Sequence, residues 1–194
     1  LSLLRADLAV DVVDPLGIKW TVEGIYSKTL NDIIVKKLNI EATGKTWGET
    51  NGFDFDNRPM FTTMKSTPNI LYLDNVSKGY SYNVSVKAEK SFDFGLDLMA
   101  SYTYGHAKTV NNGSSSVAAS NFQYNYTHKD PNAPELETSN FDIPHQVMVS
   151  AYQHFNWNKN PGRTFDNKTT IGLIYTGNSG APFSIYTYGD MNGD

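Results

Sequence analysis

The sequence predicts an all-β protein, an antiparallel meander that forms part of a large transmembrane barrel and supplies about six strands of its wall. Three observations lead there. Apolar and polar residues alternate with a period of two, over segments longer than ordinary globular strands. Short and long connections alternate along the chain. Aromatic residues sit near strand ends on the apolar side of the alternation.

Taken in order, Leu8, Val10 and Val12 alternate with Asp7, Ala9 and Asp11. The segment from Leu3 to Val13 is the one that also fits a helix. Asp14-Pro15-Leu16-Gly17 is a turn by composition. Ile18, Trp20, Val22, Gly24 and Tyr26 then share a face against Lys19, Thr21, Glu23, Ile25 and Ser27. Residues 41–69 read as a long loop rich in Gly, Asn, Asp and Thr. Tyr80, Tyr82, Val84, Val86, Ala88 and Phe92 share the clearest apolar face, which only Lys90 interrupts. Asp93-Phe94-Gly95 is short enough for a tight hairpin in which Gly95 supplies the positive φ. Leu96, Leu98, Ala100, Tyr102 and Tyr104 resume the face. A second long loop covers 107–143. Val147, Val149, Ala151, Phe155 and Trp157 follow, then an intermediate connection at 158–167, then short runs at 171–175 and 181–185.

In a meander, alternate connections lie at the same end, so short turns collect at one end and long loops at the other. Outer-membrane barrels show that asymmetry, with the long loops extracellular. Trp20, Tyr26, Tyr80, Tyr82, Tyr102, Tyr104 and Trp157 then suit interfacial girdles. The alternative is a soluble all-β adhesin or carbohydrate-binding module that uses its aromatic-rich loops. The discriminator is what covers Val84, Val86, Leu98, Ala100, Val147 and Val149: lipid, or a second sheet.

Composition excludes several classes. The 194 residues include no Cys, so there is no disulfide, thiolate zinc site or cysteine nucleophile. With 16 Lys+Arg against 20 Asp+Glu and a net charge of −4, the chain is a poor nucleic-acid binder. No run approaches a transmembrane helix.

From Tyr80 onward the chain resembles TonB-dependent outer-membrane receptors, in particular the Oar-like branch common in Bacteroidetes. The motifs that carry the resemblance are Ser101-Tyr102-Thr103-Tyr104 at a strand end, the strand entry Asp142-Ile143-Pro144-His145, the run Ser179-Gly180-Ala181-Pro182-Phe183-Ser184, and Gly189-Asp190-Met191-Asn192-Gly193-Asp194. Tyr26-Ser27-Lys28 is also similar. The resemblance implies a barrel of about 22 strands blocked by a plug. Such a barrel imports a scarce ligand with energy passed on by TonB. Residues 1–194 are then expected to be a partial barrel without plug, TonB box or terminal strand. The implied partners are outer-membrane lipid, the rest of the barrel and its plug, TonB, and a surface lipoprotein. The implied location is the outer membrane of a Gram-negative bacterium.

No enzyme is expected. Gly-x-Ser-x-Gly, a phosphate-cradling Gly loop and His-Glu-x-x-His are all absent from the sequence. Glu137 and Asp142 make no convincing acid pair. Of the histidines, His145 reads as positional, and His106 and His128 are assigned to the same long loop. No cofactor is expected apart from calcium at Asp190, Asn192 and Asp194, whose side-chain oxygens alternate as in calcium loops. The ordinary reading of that run is an Asx-type turn. A ligand would be met by the loops, at Trp47, Phe53, Phe55 and Arg58 in the first and Phe122, Tyr124, Tyr126 and His128 in the second. The ladder 122–126 is expected to prolong a strand beyond the membrane.

Overall fold

The structure, a computed structural model, describes residues 1–53, 55–64, 69–113, 115–157, 168–185 and 193. The strands are β1 (Ser2–Val13), β2 (Lys19–Lys37), β3 (Ile40–Thr46), β4 (Pro59–Thr63), β5 (Leu71–Val76), β6 (Tyr80–Ser91), β7 (Leu96–Thr109), β8 (Glu137–Thr138), β9 (His145–Asn156) and β10 (Lys168–Asn178). Two short helices, α1 (Trp47–Asn51) and α2 (Ala118–Gln123), lie in the long connections. Among the described residues no helix is long and apolar enough to cross a membrane.

The wall is the antiparallel path β1-β2-β6-β7-β9-β10, six strands in chain order. Its register turns the period-two pattern of each strand into rows across the sheet. One row runs Val10, Val22, Val86, Tyr102, Val147 and Gly177. The next runs Val12, Trp20, Ala88, Ala100, Val149 and Tyr175. A one-residue slip in any pair would exchange the faces of a whole strand, so the pattern itself locks the register. The opposite face carries Asp11, Thr21, Lys87 and Ser101 in one row. Lys19, Glu89, Met99, Ser150 and Tyr152 line a concavity on that polar face, so the sheet curls with its apolar face outward.

The short-turn end is built locally. The Asp14 carboxylate accepts the backbone N–H of Leu16 and of Ile18 and the indole N–H of Trp20, at 2.9, 2.9 and 3.1 Å. The Ile18 N–H bond is the main reason that its carboxyl lies below the usual range. Gly17, at φ 72°, completes the turn. In the second turn Gly95 has φ 88°, and its N–H bonds the Phe92 carbonyl at 2.9 Å. Trp20, Phe92, Phe155 and Trp157 gather at this end, with Phe155 and Trp157 stacked at 5.7 Å. Tyr26, Tyr82 and Tyr104 gather at the other. From Tyr82 to Phe92 the strand advances about 33 Å, or about 25 Å of height at a tilt near 40°, the height of a membrane band.

Leu3 to Val13 lies within a strand, as its alternation predicts, and pairs with β2 throughout. Four expectations need correction. Residues 181–185 form no strand. The loop 41–69 contains most of a hairpin, β3-β4, and α1. The ladder 122–126 does not prolong a strand: Phe122 lies on α2 and Tyr124 caps it. His106 belongs to β7, and not to the loop that holds His128. The connection 158–167 lies outside the described residues.

The strand entry at 142–145 closes the second long loop onto the wall. The Asp142 carboxylate, 4% exposed, accepts the Ala107 N–H at 2.8 Å and faces His106 Nδ1 at 2.8 Å. The Pro144 carbonyl accepts the Gly105 N–H at 2.9 Å. Tyr102 OH meets His145 Nδ1 at 2.7 Å. His145 is thus positional, as the sequence suggests.

Two outcomes test this architecture. Val86→Arg, near mid-height on the apolar face, is expected to cost about 2–4 kcal/mol in vesicle-based urea unfolding, while Ser85→Arg on the wet face costs much less. Asp142→Ala leaves the Ala107 N–H and the His106 ring without their acceptor. It should cost about 1–3 kcal/mol and open the 110–144 loop to limited proteolysis, whereas unchanged cleavage would show that the closure lies elsewhere.

Candidate ligand-contacting loops

Above the wall the chain changes character. β2 continues past its pairing with β6 and takes β5 as its new partner, from Asp32–Val76 to Lys37–Leu71. The alternation is lost there: Ile34 and Val35 are neighbours and both are buried. Ile40, Phe61 and Val110 are also buried at this end, so among the described residues the buried apolar side chains lie in the loops or in the stretch of β2 beyond its pairing with β6. Side-chain amides fasten the second loop to the first. Asn132 accepts the Lys37 N–H at 2.7 Å and donates to the Lys37 carbonyl at 2.9 Å, as a paired strand would. Asn111 donates to the Ile33 carbonyl at 3.1 Å.

The first candidate group forms one cluster. Thr46 and Glu49 make a reciprocal capping box at the start of α1: Glu49 accepts the Thr46 N–H at 2.8 Å and Thr46 Oγ1 accepts the Glu49 N–H at 3.2 Å. Gly52 ends the helix in the left-handed region. The chain then folds back, with the Phe53 N–H on the Gly48 carbonyl at 2.9 Å and the Trp47 N–H on the Arg58 carbonyl at 2.8 Å. That return is tight enough that a Cβ on Gly48 would lie 2.0 Å from the Phe53 carbonyl oxygen. Trp47 consequently stacks on Phe53, centroids 5.4 Å apart at 15°. Phe53 meets Phe55 edge-on at 5.9 Å, and the Arg58 guanidinium lies 5.6 Å from the Trp47 ring centroid. Phe55 is 83% exposed, so the cluster faces outward.

Asp56 holds this cluster together. It is ion-paired with Arg58, with Arg58 Nε 3.0 Å from Oδ1. The Arg58 hydrogen bond brings its pKa down to about 2. His128, from the second loop, adds the weakest of the effects that lower it, which places the two loops within electrostatic range. The signal in sequence was the Asp-x-Arg spacing of Asp56 and Arg58 beside an aromatic run.

The second group is dispersed. Phe122 packs on α2 with Lys37 Nζ 5.9 Å from its ring centroid, and it lines a small pocket with Ile34, Val35 and Pro131. It serves the loop interior. Tyr124, Tyr126 and His128 are exposed. Asp190, Asn192 and Asp194 lie outside the described residues, and among those described no cluster of three metal-ligating side chains forms.

The pH response of the first cluster has a definite sign. Because the Asp56 carboxyl is depressed in the folded loop from 3.8 to about 2, the stability it contributes is complete above about pH 4 and is lost as pH falls toward 2. With Trp20 and Trp157 replaced by Phe, Trp47 emission is expected to hold steady at neutral pH and shift red across that window. Arg58→Gln should show the shifted emission already at pH 7. A pH-independent Trp47 spectrum in both proteins would mean that the ion pair does not position the ring.

Comparison with known proteins bears on the wall rather than on the loops. The chain matches the model of the outer membrane beta barrel domain over residues 13–194. No curated protein and no solved structure matches it. The match spans five of the six wall strands, β2, β6, β7, β9 and β10, with both long loops, and it implies a membrane lipid environment for that wall. A curled wall with one apolar and one wet face therefore stands in an outer membrane, and the chain belongs to the outer membrane β-barrel domain family.

Proposed function

We propose that the chain is barrel wall and ligand-contacting loops of a TonB-dependent outer-membrane transporter, a carrier and not an enzyme, that imports a scarce ligand. The observation that carries the reading is the folded crown at the long-loop end. It has its own buried side chains, and it displays Trp47, Phe53 and Phe55 beside Arg58. A wall that only sealed a membrane would not need a crown of this kind. Three further features support the reading. The motifs at 101–104, 142–145 and 179–184 keep the order seen in Oar-like receptors. Among the described residues β1 and β10 each have one neighbour in the sheet, and closing a barrel calls for further strands at both edges. The concave face mixes Lys19, Lys87, Glu23 and Glu89, which suits a wet lumen filled by a polar plug. In this reading the long loops are extracellular, and a surface lipoprotein is a fitting partner for them.

The soluble adhesin or carbohydrate-binding module is set aside by family membership, but its binding surface survives as the ligand contact proposed here. The test is uptake by the intact protein in its host from a panel of labelled glycans and peptides. Loss of the protein and loss of TonB should abolish uptake of the same compound. Trp47→Ala should weaken half-saturation about tenfold or more, as for a central aromatic anchor. Uptake that persists without TonB would refute active transport.

A further inference from the structure

On the outward face, the residues just above the apolar band change in a regular order toward the long loops. The row Gly24, Val84, Tyr104 and His145 comes first, followed by Tyr26, Tyr82 and His106. The next outward row is Lys28, Tyr80 and Lys108, paired Lys28–Tyr80 and Tyr80–Lys108. Neighbouring strands lie about 4.8 Å apart, so the two lysines stand about 10 Å from each other across the tyrosine. Lys28 Nζ donates to the Lys78 backbone carbonyl at 3.2 Å, while the Lys78 ammonium turns away to the Pro134 carbonyl at 3.5 Å. Among the described residues neither Lys28 nor Lys108 is in an ion pair with a carboxylate. The nearby acids are accounted for. Asp142 is buried against Ala107 and His106, and Glu137 pairs with Thr109, a residue of the other face.

We propose that Lys28, Tyr80 and Lys108 form a docking site for the phosphate of an anionic lipid headgroup in the leaflet that borders the long loops. Charge complementarity argues for that occupant. The face below the row is set in lipid by family membership, and the aromatic row marks the depth at which headgroups begin. Two ammonium groups and a phenol at that depth present donors to a phosphate while their apolar stems lie along the band. The site is independent of what the barrel transports.

The intact protein is reconstituted in phosphatidylcholine bilayers containing a minor fraction of phosphatidylglycerol. The lipids that remain bound after mild detergent extraction are then counted by native mass spectrometry. The wild type should be enriched in phosphatidylglycerol. Each lysine contributes roughly a fivefold preference, so Lys28→Gln with Lys108→Gln should reduce enrichment about twenty-five-fold. Lys28→Arg with Lys108→Arg should retain it, as should Lys87→Gln on the opposite face. A heat-modifiable band on electrophoresis reports folding of each variant. If the double glutamine variant lacks that band, the single variants read the same effect at about fivefold each. Equal enrichment in wild type and folded glutamine variants would overturn the proposal. So would an equal loss in Lys87→Gln, or displacement of the lipid by millimolar inorganic phosphate, which would mark a site for the free ion.

Discussion

A backbone amide inside a bilayer has no water to bond, so every N–H and C=O in the spanning region must find its partner in a neighbouring strand. Everything else in this chain follows from meeting that demand. Six strands pair in chain order: short turns return β2 beside β1 and β7 beside β6, and the long connections return β6 beside β2 and β9 beside β7. Sheet pairing then forces side chains to opposite faces, and lipid permits only apolar groups on one of them. The register is set by that face. It takes no buried core to hold it: Val22, Val86 and Val147 are 47, 38 and 38% exposed in the chain, yet they line up in one row across strands that are far apart in sequence.

The loops answer to a different solvent, and they are built differently. Beyond Tyr26 the lipid constraint lapses, and β2 runs on as part of a water-exposed crown that must fold by burial. Ile34 and Val35 go inside together because that stretch of β2 is covered on both faces. Side-chain amides of Asn132 and Asn111 replace the missing neighbour strand on the Ile33–Lys37 backbone. Asp142, Pro144 and His145 then deliver the chain from the crown back to the wall at a fixed register. The sequence pattern Asp-x-Pro-His thus has a mechanical reading: one residue accepts the outgoing strand's N–H, one offers it a carbonyl, and one begins the returning strand.

This division explains what could be read in advance. The wall was legible from Val84, Val86, Leu98, Ala100, Val147 and Val149, because one physical rule governs every residue there. The turns at Asp14 and Gly95 were legible from their residue types. The crown was not. Its buried residues Ile34, Ile40, Phe61 and Val110 are separated by polar stretches, so no window of sequence shows them as a group. Phe122, Tyr124 and Tyr126 alternate as a strand would, but β9 enters at His145 and leaves them no partner. With no ladder to join, residues 118–123 close a local helical turn instead.

Of the candidate site, the half that could be read was the half made by neighbours in sequence. Trp47, Phe53, Phe55 and Arg58 lie within one short loop, and a tight return over Gly48 suffices to bring them together. The second group depended on how the whole 110–144 loop folds over β2. Phe122 was drawn inward there as packing, while Tyr124, Tyr126 and His128 stayed exposed. Proximity in sequence guarantees a shared site only when the connecting backbone has one way to fold. Gly48 imposes that condition, since any side chain larger than hydrogen would strike the Phe53 carbonyl. The aromatic cluster therefore rests on a glycine as much as on its rings.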